Sequence, residues 1–413
     1  MNIINYVFYV LFCYFNKIKY LCKKELLSPM QNQEKRLKIV YCIPALYFAG
    51  GMERVLSMKA NYFADHFDYD ITIILTDGKD NPFFYPLSEK IKVVNLDIGF
   101  EELWNISFAK KVWCYLGKQR QYKKKLTKEL KRIRPDITIS LLRREINFIT
   151  AIDDGSKKIG EIHINRAHYR NFEEHETNFI KQWFSKYWMH TLVSKLRRLD
   201  RFVVLTESDK ESWKELENVA VIPNPLSFQP MKHSSSEEHR IIVVGRYCHE
   251  KGYDHLLQAW SLIQDECSDW KLEIFGEGDR RSYERMREEL HISPERCVLN
   301  GRTSDIESEF VNSSFAVCSS RFEGFGLAIV EAMACGLPVV SFDCPWGPRS
   351  IITNGEDGLL VKNGDVKGLS EAMLRMINEP ESRKMMSNNA KKVSQRYSIE
   401  TIANKWKQLF ESI

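Results

Sequence analysis

Two glutamates beside a glycine-rich loop in the second half of the chain have the spacing of a binding site. Glu323 precedes the glycine-rich residues 324–326, and Glu331 follows Glu323 by eight positions. The apolar run FAVCSS, at 315–320, predicts a buried parallel strand before the loop, and a helix is expected from Leu327. Because glycines allow positive φ angles and helix starts attract anions, the stretch predicts a phosphate-type anion site. Glu331 would then lie just over one turn inside the helix.

A carboxylate beside a phosphate is repelled unless it faces hydroxyl groups. Carboxylates accept hydrogen bonds well, so a ligand with sugar hydroxyls on both sides of a diphosphate would satisfy Glu323, Glu331 and the helix start together. The less specific interpretation is an ordinary strand-to-helix turn with surface glutamates.

Two cations follow the first predicted strand of the same half. The run RIIVV predicts a strand that ends at Gly245, and Arg246 and Lys251 come soon after it. Open α/β sheets bind ligands at the carboxyl ends of their strands, so these side chains could neutralise a diphosphate without a metal. Two isolated basic residues after a strand could equally be surface residues.

A second glycine loop lies in the first half of the chain. The predicted strand LKIVYCI, at 37–43, is followed by Gly50 and Gly51 and then by the tripeptide MER at a predicted helix start. This pattern is typical of a phosphate loop, although a glycine hinge between a strand and a helix would look the same.

The sequence EGFGLAIVEAMACGLPVV and the GGxER pattern closely resemble motifs of the family four retaining glycosyltransferases (glycosyl transferases group 1). The resemblance implies the GT-B fold, an α/β architecture of two facing Rossmann-like domains with parallel sheets and a cleft between them. It implies that Glu323 lies by the donor sugar and that Glu331 binds the ribose of the nucleotide. Arg246 and Lys251 would oppose the charge of the departing diphosphate. The implied donor-binding residues are Gly50, Gly51, Arg246, Lys251, Glu323, Gly324, Phe325, Gly326, Leu327 and Glu331.

A histidine completes the catalytic set that the resemblance implies. Family members bring a histidine or a charged residue to the donor sugar from the first domain, and His163, in the predicted strand at 159–165, is the candidate. His168 could take its place, and a lone histidine can also be structural. The predicted catalytic residues are Glu323, His163, Arg246 and Lys251.

Three other segments of the second half bear on the ligand. Residues 298–302, VLNGR, stand where the resemblance implies nucleobase contacts. The loop within PVVSFDCPWGPRSII, at 338–352, resembles that of a family branch in which glutamate follows the arginine, but Ser350 stands here instead. Residues 276–278, GEG, lack the third glycine of a dinucleotide fingerprint, so a nicotinamide cofactor is weakly supported.

The length of 413 residues predicts two or three domains, and alternating strand and helix patterns predict doubly wound α/β sheets. Residues 37–232 are predicted to form a Rossmann-like acceptor domain, and residues 241–395 a Rossmann-like donor domain. The polar segment at 233–240 is the predicted linker. The chain is expected to end in a helix, at 396–413, that crosses back to the first domain.

Composition and charge bound the class of protein. The net charge of +5 is small, so partners must be inferred from local clusters. Ten cysteines without a C-x-x-C pair or zinc spacing indicate buried thiols in a reducing compartment. The only Asp-x-Asp, at 68–70, precedes a predicted strand without a glycine-rich partner. We therefore expect no metal site and no cofactor, with the nucleotide diphosphate sugar as a substrate.

Residues 1–36 form a predicted N-terminal extension. Its apolar run IINYVFYVLFCYF, at 3–15, is shorter than the ~20 residues that a spanning helix needs, and it lacks the features of a cleaved signal peptide. The segment is either dispensable, with Met30 as the functional start, or an interfacial anchor. No other segment is expected to cross a bilayer.

Two segments of the first domain could meet a membrane. Residues 110–134 contain eleven lysines and arginines and one acid, and residues 179–201 combine an aromatic stripe with a basic end. They could instead be a solvated helix face and a core helix, and nucleic acid is a weak third interpretation for the first. Contact with anionic lipid headgroups predicts a cytoplasmic protein, peripheral on the cytoplasmic face of a membrane.

Together these observations predict a retaining glycosyltransferase of cell-surface polysaccharide or glycoconjugate biosynthesis. It would move a hexose or N-acetylhexosamine from a nucleotide diphosphate sugar, with UDP-sugars favoured, to a saccharide acceptor that is lipid-linked. A sugar-nucleotide epimerase on the same scaffold and a non-catalytic membrane-associated scaffold are the alternatives. The intact Glu323, Glu331, Arg246 and Lys251 favour an enzyme.

Overall fold

A computed structural model describes residues 36–105, 107–164, 166 and 179–413. Residues 1–35 of the predicted N-terminal extension and the alternative histidine, His168, lie outside the described residues. The described chain forms two β-sheets, one of seven strands and one of six.

The first domain is built on the seven-stranded sheet, in the order β3-β2-β1-β4-β5-β6-β7. Its strands are β1 (Lys38–Cys42), β2 (Asp70–Leu75), β3 (Lys92–Asn95), β4 (Ile137–Ser140), β5 (Lys157–Glu161), β6 (Arg201–Val204) and β7 (Val219–Val221). Its helices are α1 (Gly51–His66), α2 (Phe108–Ile133), α3 (Phe179–Leu196) and α4 (Glu207–Glu211), with 3-10 turns at Phe100–Asn105, Glu145–Asn147 and Ile149–Ala151.

The second domain is built on the six-stranded sheet, in the order β10-β9-β8-β11-β12-β13. Its strands are β8 (Arg240–Val244), β9 (Lys271–Phe275), β10 (Cys297–Asn300), β11 (Phe315–Cys318), β12 (Val339–Asp343) and β13 (Gly358–Lys362). The helices that follow β8 are α5 (Tyr253–Ile263), α6 (Arg281–Glu289), α7 (Ile306–Val311), α8 (Leu327–Ala334), α9 (Pro348–Ile351), α10 (Val366–Asn378), α11 (Pro380–Ala390), α12 (Val393–Arg396) and α13 (Ile399–Glu411), with a 3-10 turn at His249–Lys251.

Apolar, largely β-branched strands build both sheets, because helices cover both faces of a parallel sheet. Every strand pairing described in the two sheets is parallel. The strand order reverses between β1 and β4 in one sheet and between β8 and β11 in the other. Open α/β sheets bind their ligands at the carboxyl ends of the strands beside such reversals. The predicted architecture of two Rossmann-like domains with parallel sheets is confirmed.

The last helix, α13, packs on the first domain. The rings of Phe410 and Phe63 of α1 lie 5.8 Å apart, and Trp406 is 1% exposed beneath the ammonium group of Lys59. Apolar residues at 402, 406 and 410 share one helix face because they are four positions apart. Ile402, Trp406 and Phe410 thereby join the same hydrophobic cluster as Phe63.

Several elements end at residues other than those predicted. β5 stops at Glu161, so His163 lies in the loop after the strand instead of within it. β8 begins at Arg240, the last residue of the predicted linker, and α13 begins at Ile399. Among the described helices, none is both long and apolar enough to cross a membrane.

Candidate functional site

The glycine loop, residues 319–326, connects β11 to α8 at the carboxyl edge of the second sheet. Gly326 has a φ of 99°, a left-handed conformation that favours glycine, and α8 begins at the next residue, Leu327. The unpaired N–H groups of this helix start can bind an anion. Phe325 was predicted to bind the donor, but its side chain is 3% exposed and its ring lies 5.4 Å from that of Tyr397. The ring of Phe325 is therefore part of the packing beneath the loop and does not face a ligand.

Lys251 and Glu323 form an ion pair beside the glycine loop. Lys251 Nζ lies 2.6 Å from Glu323 Oε1, and Ser320 Oγ donates to the same oxygen at 2.7 Å. Burial opposes the positive charge of Lys251, but Glu323 outweighs that effect and holds the pKa of Lys251 above its usual value. The Lys251 and Glu323 side chains are 22% and 13% exposed, so an ammonium group and a carboxylate remain within reach of a ligand.

Arg246 is the second cation that the sequence predicted here. It follows β8 directly and is exposed, and it takes no part in the pair between Lys251 and Glu323. Its guanidinium is therefore open to an anionic ligand at the carboxyl end of the strand.

The two glycine loops face each other across a narrow cleft. A Cβ atom at Gly324 would lie 2.7 Å from the backbone oxygen of His163, which is closer than real Cβ contacts come. Gly324 does not have a positive φ, so the close approach of the first domain, and not a turn, requires a glycine there. On the other side, a Cβ atom at Gly51 would lie 3.6 Å from Leu327 Cδ1. His163, Gly324, Gly51 and Leu327 thus line one cleft.

His163 is held at the cleft by a buried carboxylate. His163 Nε2 lies 3.2 Å from Glu161 Oε1, at the end of β5. Glu161 also pairs with Lys59 of α1, and both of these side chains are 2% exposed. Burial raises the pKa of Glu161, but Lys59 and His163 more than offset it and lower that pKa to about 2. Glu161 therefore stays ionised and places a negative charge 3.2 Å from His163 Nε2.

Glu331 contacts the opposite domain. It lies in α8, is 5% exposed, and accepts a hydrogen bond on Oε1 from Arg54 Nη1 at 2.9 Å. Arg54 is in the first turn of α1, directly after the Gly50-Gly51 loop. The residue that the resemblance assigns to the ribose is thus in contact with the GGxER segment.

The other charged residue of that segment, Glu53, folds back over its own loop. A Cβ atom at Gly50 would collide with Glu53 Oε2, so glycine leaves room for this carboxylate. Burial raises the pKa of Glu53 above its usual value, although Arg143 and His163 act in the opposite direction. Of the two predicted phosphate-binding glycines, Gly51 is the exposed one.

An aromatic loop of the first domain lies against the segment predicted to contact the nucleobase. Arg302, at the end of that segment, pairs with Glu277 at 3.1 Å, and its guanidinium lies 4.6 Å from the centre of the Phe84 ring. Phe83 and Phe84 are 42% and 40% exposed. Their rings could contact a planar base beside Arg302.

The loop after β12 packs against the backbone of the glycine loop. A Cβ atom at Gly347 would lie 2.7 Å from the carbonyl oxygen of Phe325. Trp346 Nε1 donates to Ser212 Oγ of the first domain at 2.9 Å. Ser350, which replaces the glutamate of the similar family branch, lies in α9, and its carbonyl oxygen accepts from Tyr397. This position therefore supplies no acidic side chain to the cleft.

Sequence reasoning found some of these residues and missed others. The structure brings the predicted Glu323 and Lys251 into contact and places the predicted His163 opposite Gly324. Arg54 was missed as a contact of Glu331, although it stands in the GGxER pattern. Glu161 and Lys59 were missed because they are far apart in sequence and belong to no motif.

Metal ligands and disulfides are not found in the described part of the chain. No group of three or more His, Cys, Asp and Glu side chains there is arranged to hold a metal ion. The eight described cysteines are free thiols, including Cys42 within β1 and Cys318 at the end of β11.

Comparisons with known proteins point to one family. Residues 228–393 match the family model of glycosyl transferases group 1. An uncharacterized glycosyltransferase of Haemophilus influenzae is 29% identical over 90% of this chain and 99% of its own length.

Two further proteins are similar over most of the chain. The Campylobacter jejuni enzyme named GalNAc-alpha-(1->4)-GalNAc-alpha-(1->3)-diNAcBac-PP-undecaprenol alpha-1,4-N-acetyl-D-galactosaminyltransferase is 24% identical over 91% of this chain and 99% of its own. A crystal structure of a Staphylococcus aureus TarM variant, in complex with fondaparinux, alpha-GlcNAc-glycerol and UDP, has a TM-score of 0.70 at 18% identity and covers 91% of this chain and 99% of that one. The structural likeness concerns the fold.

Proposed function

Because residues 228–393 match the family model of glycosyl transferases group 1, we propose that the chain is a glycosyltransferase of this group that moves a hexose or N-acetylhexosamine from a nucleotide diphosphate sugar to a saccharide acceptor. We further propose retention of the anomeric configuration, a UDP-sugar donor and a lipid-linked acceptor in cell-surface polysaccharide or glycoconjugate biosynthesis. The similar Campylobacter jejuni protein is named for an undecaprenol-linked acceptor, and the similar TarM variant was crystallised with UDP.

The observation that carries the proposal is the cluster beside the start of α8. The ammonium group of Lys251 and the N–H groups of α8 lie beside the glycine loop, where Lys251 is paired with Glu323 at 2.6 Å. Arg246 adds a positive charge at the end of the neighbouring strand. Preorganised positive groups of this kind stabilise the charge that develops on a departing diphosphate. Glu323 and Glu331 offer carboxylates to the hydroxyls of the sugar and the ribose.

In the proposed reaction, the bond between the anomeric carbon and the diphosphate oxygen breaks, and an acceptor hydroxyl oxygen bonds to the same face of that carbon. The acceptor proton passes to the departing phosphate oxygen. A double displacement would need a second carboxylate about 5 Å away across the anomeric carbon. Glu323 and Glu331 both belong to the second domain, on one side of the donor, and this supports same-face attack.

Calorimetry with UDP, GDP and ADP, followed by their sugar derivatives, tests the proposal. Glu331→Ala should weaken binding of the free nucleotide, whereas Glu323→Ala should mainly lower turnover. Each loss should be about ten- to hundredfold, the range for a hydrogen bond to a charged group. Failure of every nucleotide to bind the wild-type chain, or unchanged nucleotide affinity in Glu331→Ala, would contradict the assignment.

We also propose that donor binding and turnover need no divalent metal, because cations and a helix start neutralise the diphosphate. Activity should persist in EDTA and should not rise when manganese or magnesium is restored. Complete loss of activity in EDTA with recovery in manganese would overturn this part of the proposal.

A labelled donor distinguishes transfer from epimerisation on the same scaffold. The label of a nucleotide sugar should move to the acceptor in the proposed reaction, and it should remain in free nucleotide sugar if the protein is an epimerase. Absence of both outcomes with a bound donor would favour the non-catalytic scaffold.

We propose that the enzyme is a cytoplasmic protein that attaches reversibly to the cytoplasmic face of a membrane through α2. Trp113 is 79% exposed and Leu116 is 46% exposed, and both share a face with the exposed Arg120 and Lys124, because these residues are three or four positions apart. Apolar and basic groups on one helix face fit the boundary between acyl chains and anionic headgroups.

The second segment predicted to meet a membrane, residues 179–201, is less available for contact with lipid headgroups. Lys195 donates to Asn147 at 2.9 Å, Arg197 to the Glu215 carbonyl at 3.1 Å, and Arg201 to the carbonyl of the preceding residue. Three of the four lysines and arginines at its basic end, 195–201, therefore already have protein partners. The structure does not describe the side chains of the aromatic residues at 179–185.

Co-sedimentation with liposomes tests attachment through α2, using a chain that begins at Met30. Binding should require anionic lipid, weaken at high salt, and fall when Arg120, Lys123 and Lys124 become glutamate. Lys125 is left unchanged because its ammonium group donates to the carbonyl of Leu96 at 2.6 Å and so has a structural role.

Reversal of the exposed Lys362, Lys367 and Lys384 in the second domain is the matched control and should leave binding unchanged. If the shortened chain ignores anionic vesicles while the full chain binds them, residues 1–29 are the anchor and the assignment to α2 is wrong.

A further inference from the structure

One charged contact between the domains has no part in the chemistry described above. Arg54 Nη1 lies 2.9 Å from Glu331 Oε1, and these residues are 277 positions apart. The Arg54 side chain is 29% exposed and that of Glu331 is 6% exposed. A charge-assisted hydrogen bond in a largely water-excluded place is stronger than one at the surface.

The contact determines what Glu331 can offer to a ligand. A buried carboxylate without a partner is costly, so the arginine beside Glu331 offsets that cost and fixes the orientation of the carboxylate. A carboxylate has two oxygens with about four lone-pair sites, so a hydrogen bond to Oε1 leaves capacity for ribose hydroxyls. Arg54 thus prepares the acceptor group that the ribose would use.

A second contact shows that the first domain lines the same part of the cleft. The Arg302 guanidinium, beside the segment expected to contact the nucleobase, lies 4.6 Å from the centre of the Phe84 ring of the first domain. Two different segments of the first domain, α1 and the loop containing Phe84, therefore approach the nucleoside side of the second domain.

We propose that Arg54 is a positioning residue for the ribose of the nucleotide, acting from the first domain by holding Glu331. This inference rests on the proposed function, in which Glu331 accepts hydrogen bonds from ribose hydroxyls. Its consequence is that ribose recognition depends on the closed cleft, because Arg54 and Glu331 belong to different domains.

Calorimetry with UDP and with 2′,3′-dideoxy-UDP tests the inference on the full chain. Arg54→Met keeps the length of the side chain and removes its charge. We expect it to weaken UDP binding about tenfold, the lower range for losing a hydrogen bond to a charged group, and to affect dideoxy-UDP much less. The preference of the protein for UDP over the dideoxy compound should therefore shrink.

Three further variants isolate the role of Arg54. Arg54→Lys retains the charge without the planar guanidinium group. It should keep part of the preference for ribose hydroxyls that Arg54→Met loses. In Glu331→Gln, adding Arg54→Met should cause little further loss if Arg54 acts through Glu331. Arg36→Met removes a similar pair, with Asp68 at 2.7 Å, before β1 at the opposite end of the strands, and should leave both affinities unchanged.

Unchanged UDP affinity in Arg54→Met would overturn the inference, and so would an equal loss for UDP and dideoxy-UDP, which would mean that Arg54 acts on the diphosphate or on the fold. Both results leave the proposed function standing because the wild-type chain still binds UDP. If the wild-type chain binds none of UDP, GDP and ADP, the proposed function fails and the inference fails with it.

Discussion

Each domain contains a lysine–glutamate pair close to the cleft, and the two pairs differ in burial. Lys59 and Glu161 of the first domain are each 2% exposed, whereas Lys251 and Glu323 of the second are 22% and 13% exposed. The buried pair contacts only protein, including His163 and the Trp406 ring. Lys251 and Glu323 form a pair of the same two chemical groups, but a ligand in the cleft can reach them.

The difference in burial suits the two pairs to different roles. The buried pair has a structural role, and the more exposed pair has its charges available for function. Removing one member of a buried pair leaves an uncompensated charge, so such a pair is costly to disrupt. A more exposed pair can exchange its partner for water or for a ligand at a lower cost to stability than a fully buried pair. The same substitution should therefore unfold the protein at one site and impair donor chemistry at the other.

The largest effect is expected from Lys59→Met. It leaves the buried Glu161 carboxylate without its ammonium partner, and the free energy of unfolding should fall by about 3–5 kcal/mol. Urea denaturation monitored by tryptophan fluorescence measures this change. Replacing both residues, as Lys59→Met with Glu161→Leu, should recover most of the stability. A single variant as stable as the wild type would remove the basis of the comparison.

Acid should weaken the buried pair next. The pKa of Glu161 in the folded protein is about 2, against an ordinary value of 4.5, so the folded state favours the carboxylate. The resulting stability is fully present above pH 4.5 and is lost as the pH falls toward 2, by roughly 3 kcal/mol. Urea midpoints at pH 7, 4.5 and 3 for the wild type and for the double variant isolate this effect. Parallel pH profiles would contradict it.

The matched substitution in the cleft, Lys251→Met, should lower stability less than Lys59→Met does, because the pair of Lys251 and Glu323 is more exposed than the pair of Lys59 and Glu161. Turnover should fall about hundredfold, since a cation beside the departing diphosphate and the partner of Glu323 are both lost. Thermal unfolding and initial rates with a labelled donor measure the two effects. A loss of stability as large as that in Lys59→Met would show that the cleft pair is structural as well.

The smallest effect is expected from Ser320→Ala. This change removes the hydroxyl that donates to Glu323 Oε1 at 2.7 Å but leaves Lys251 on the same oxygen. Turnover should fall about two- to tenfold, as for the loss of one neutral hydrogen bond of 0.5–1.5 kcal/mol. Steady-state kinetics at saturating donor measure it. A hundredfold loss would mean that Ser320, rather than Lys251, fixes the carboxylate.

Much of the fold could be predicted from the sequence because its signals are local. Continuous apolar strands, glycine turns and strand–helix alternation indicated parallel sheets, and the structure contains two of them. The family resemblance carried the same expectation. Strand ends were less predictable: apolar residues continue beyond β5, yet pairing with β6 stops at Glu161 and leaves His163 in a loop.

Site residues that lie within one motif could be predicted from the sequence, whereas contacts between distant segments could not. Glu323, Glu331 and Gly326 lie in one stretch, so their placement on one loop and helix could be inferred from spacing, while their roles are those that the family resemblance implies. The contacts of Glu331 with Arg54 and of Glu161 with Lys59 join distant segments, and each arises only when elements pack. Of the two loop glycines, Gly326 has a positive φ and Gly324 does not, and the facing carbonyl of His163 explains the requirement for glycine at Gly324.

The return of α13 to the first domain has a consequence for how the protein is made. Ile402, Trp406 and Phe410 fill the same hydrophobic cluster as Phe63 of α1, so the core of the first domain is completed by residues that are translated after the whole second sheet. Domains usually fold in the order of their synthesis. Here the first domain is translated first, but the apolar surface that α13 covers stays exposed until the second domain has been made.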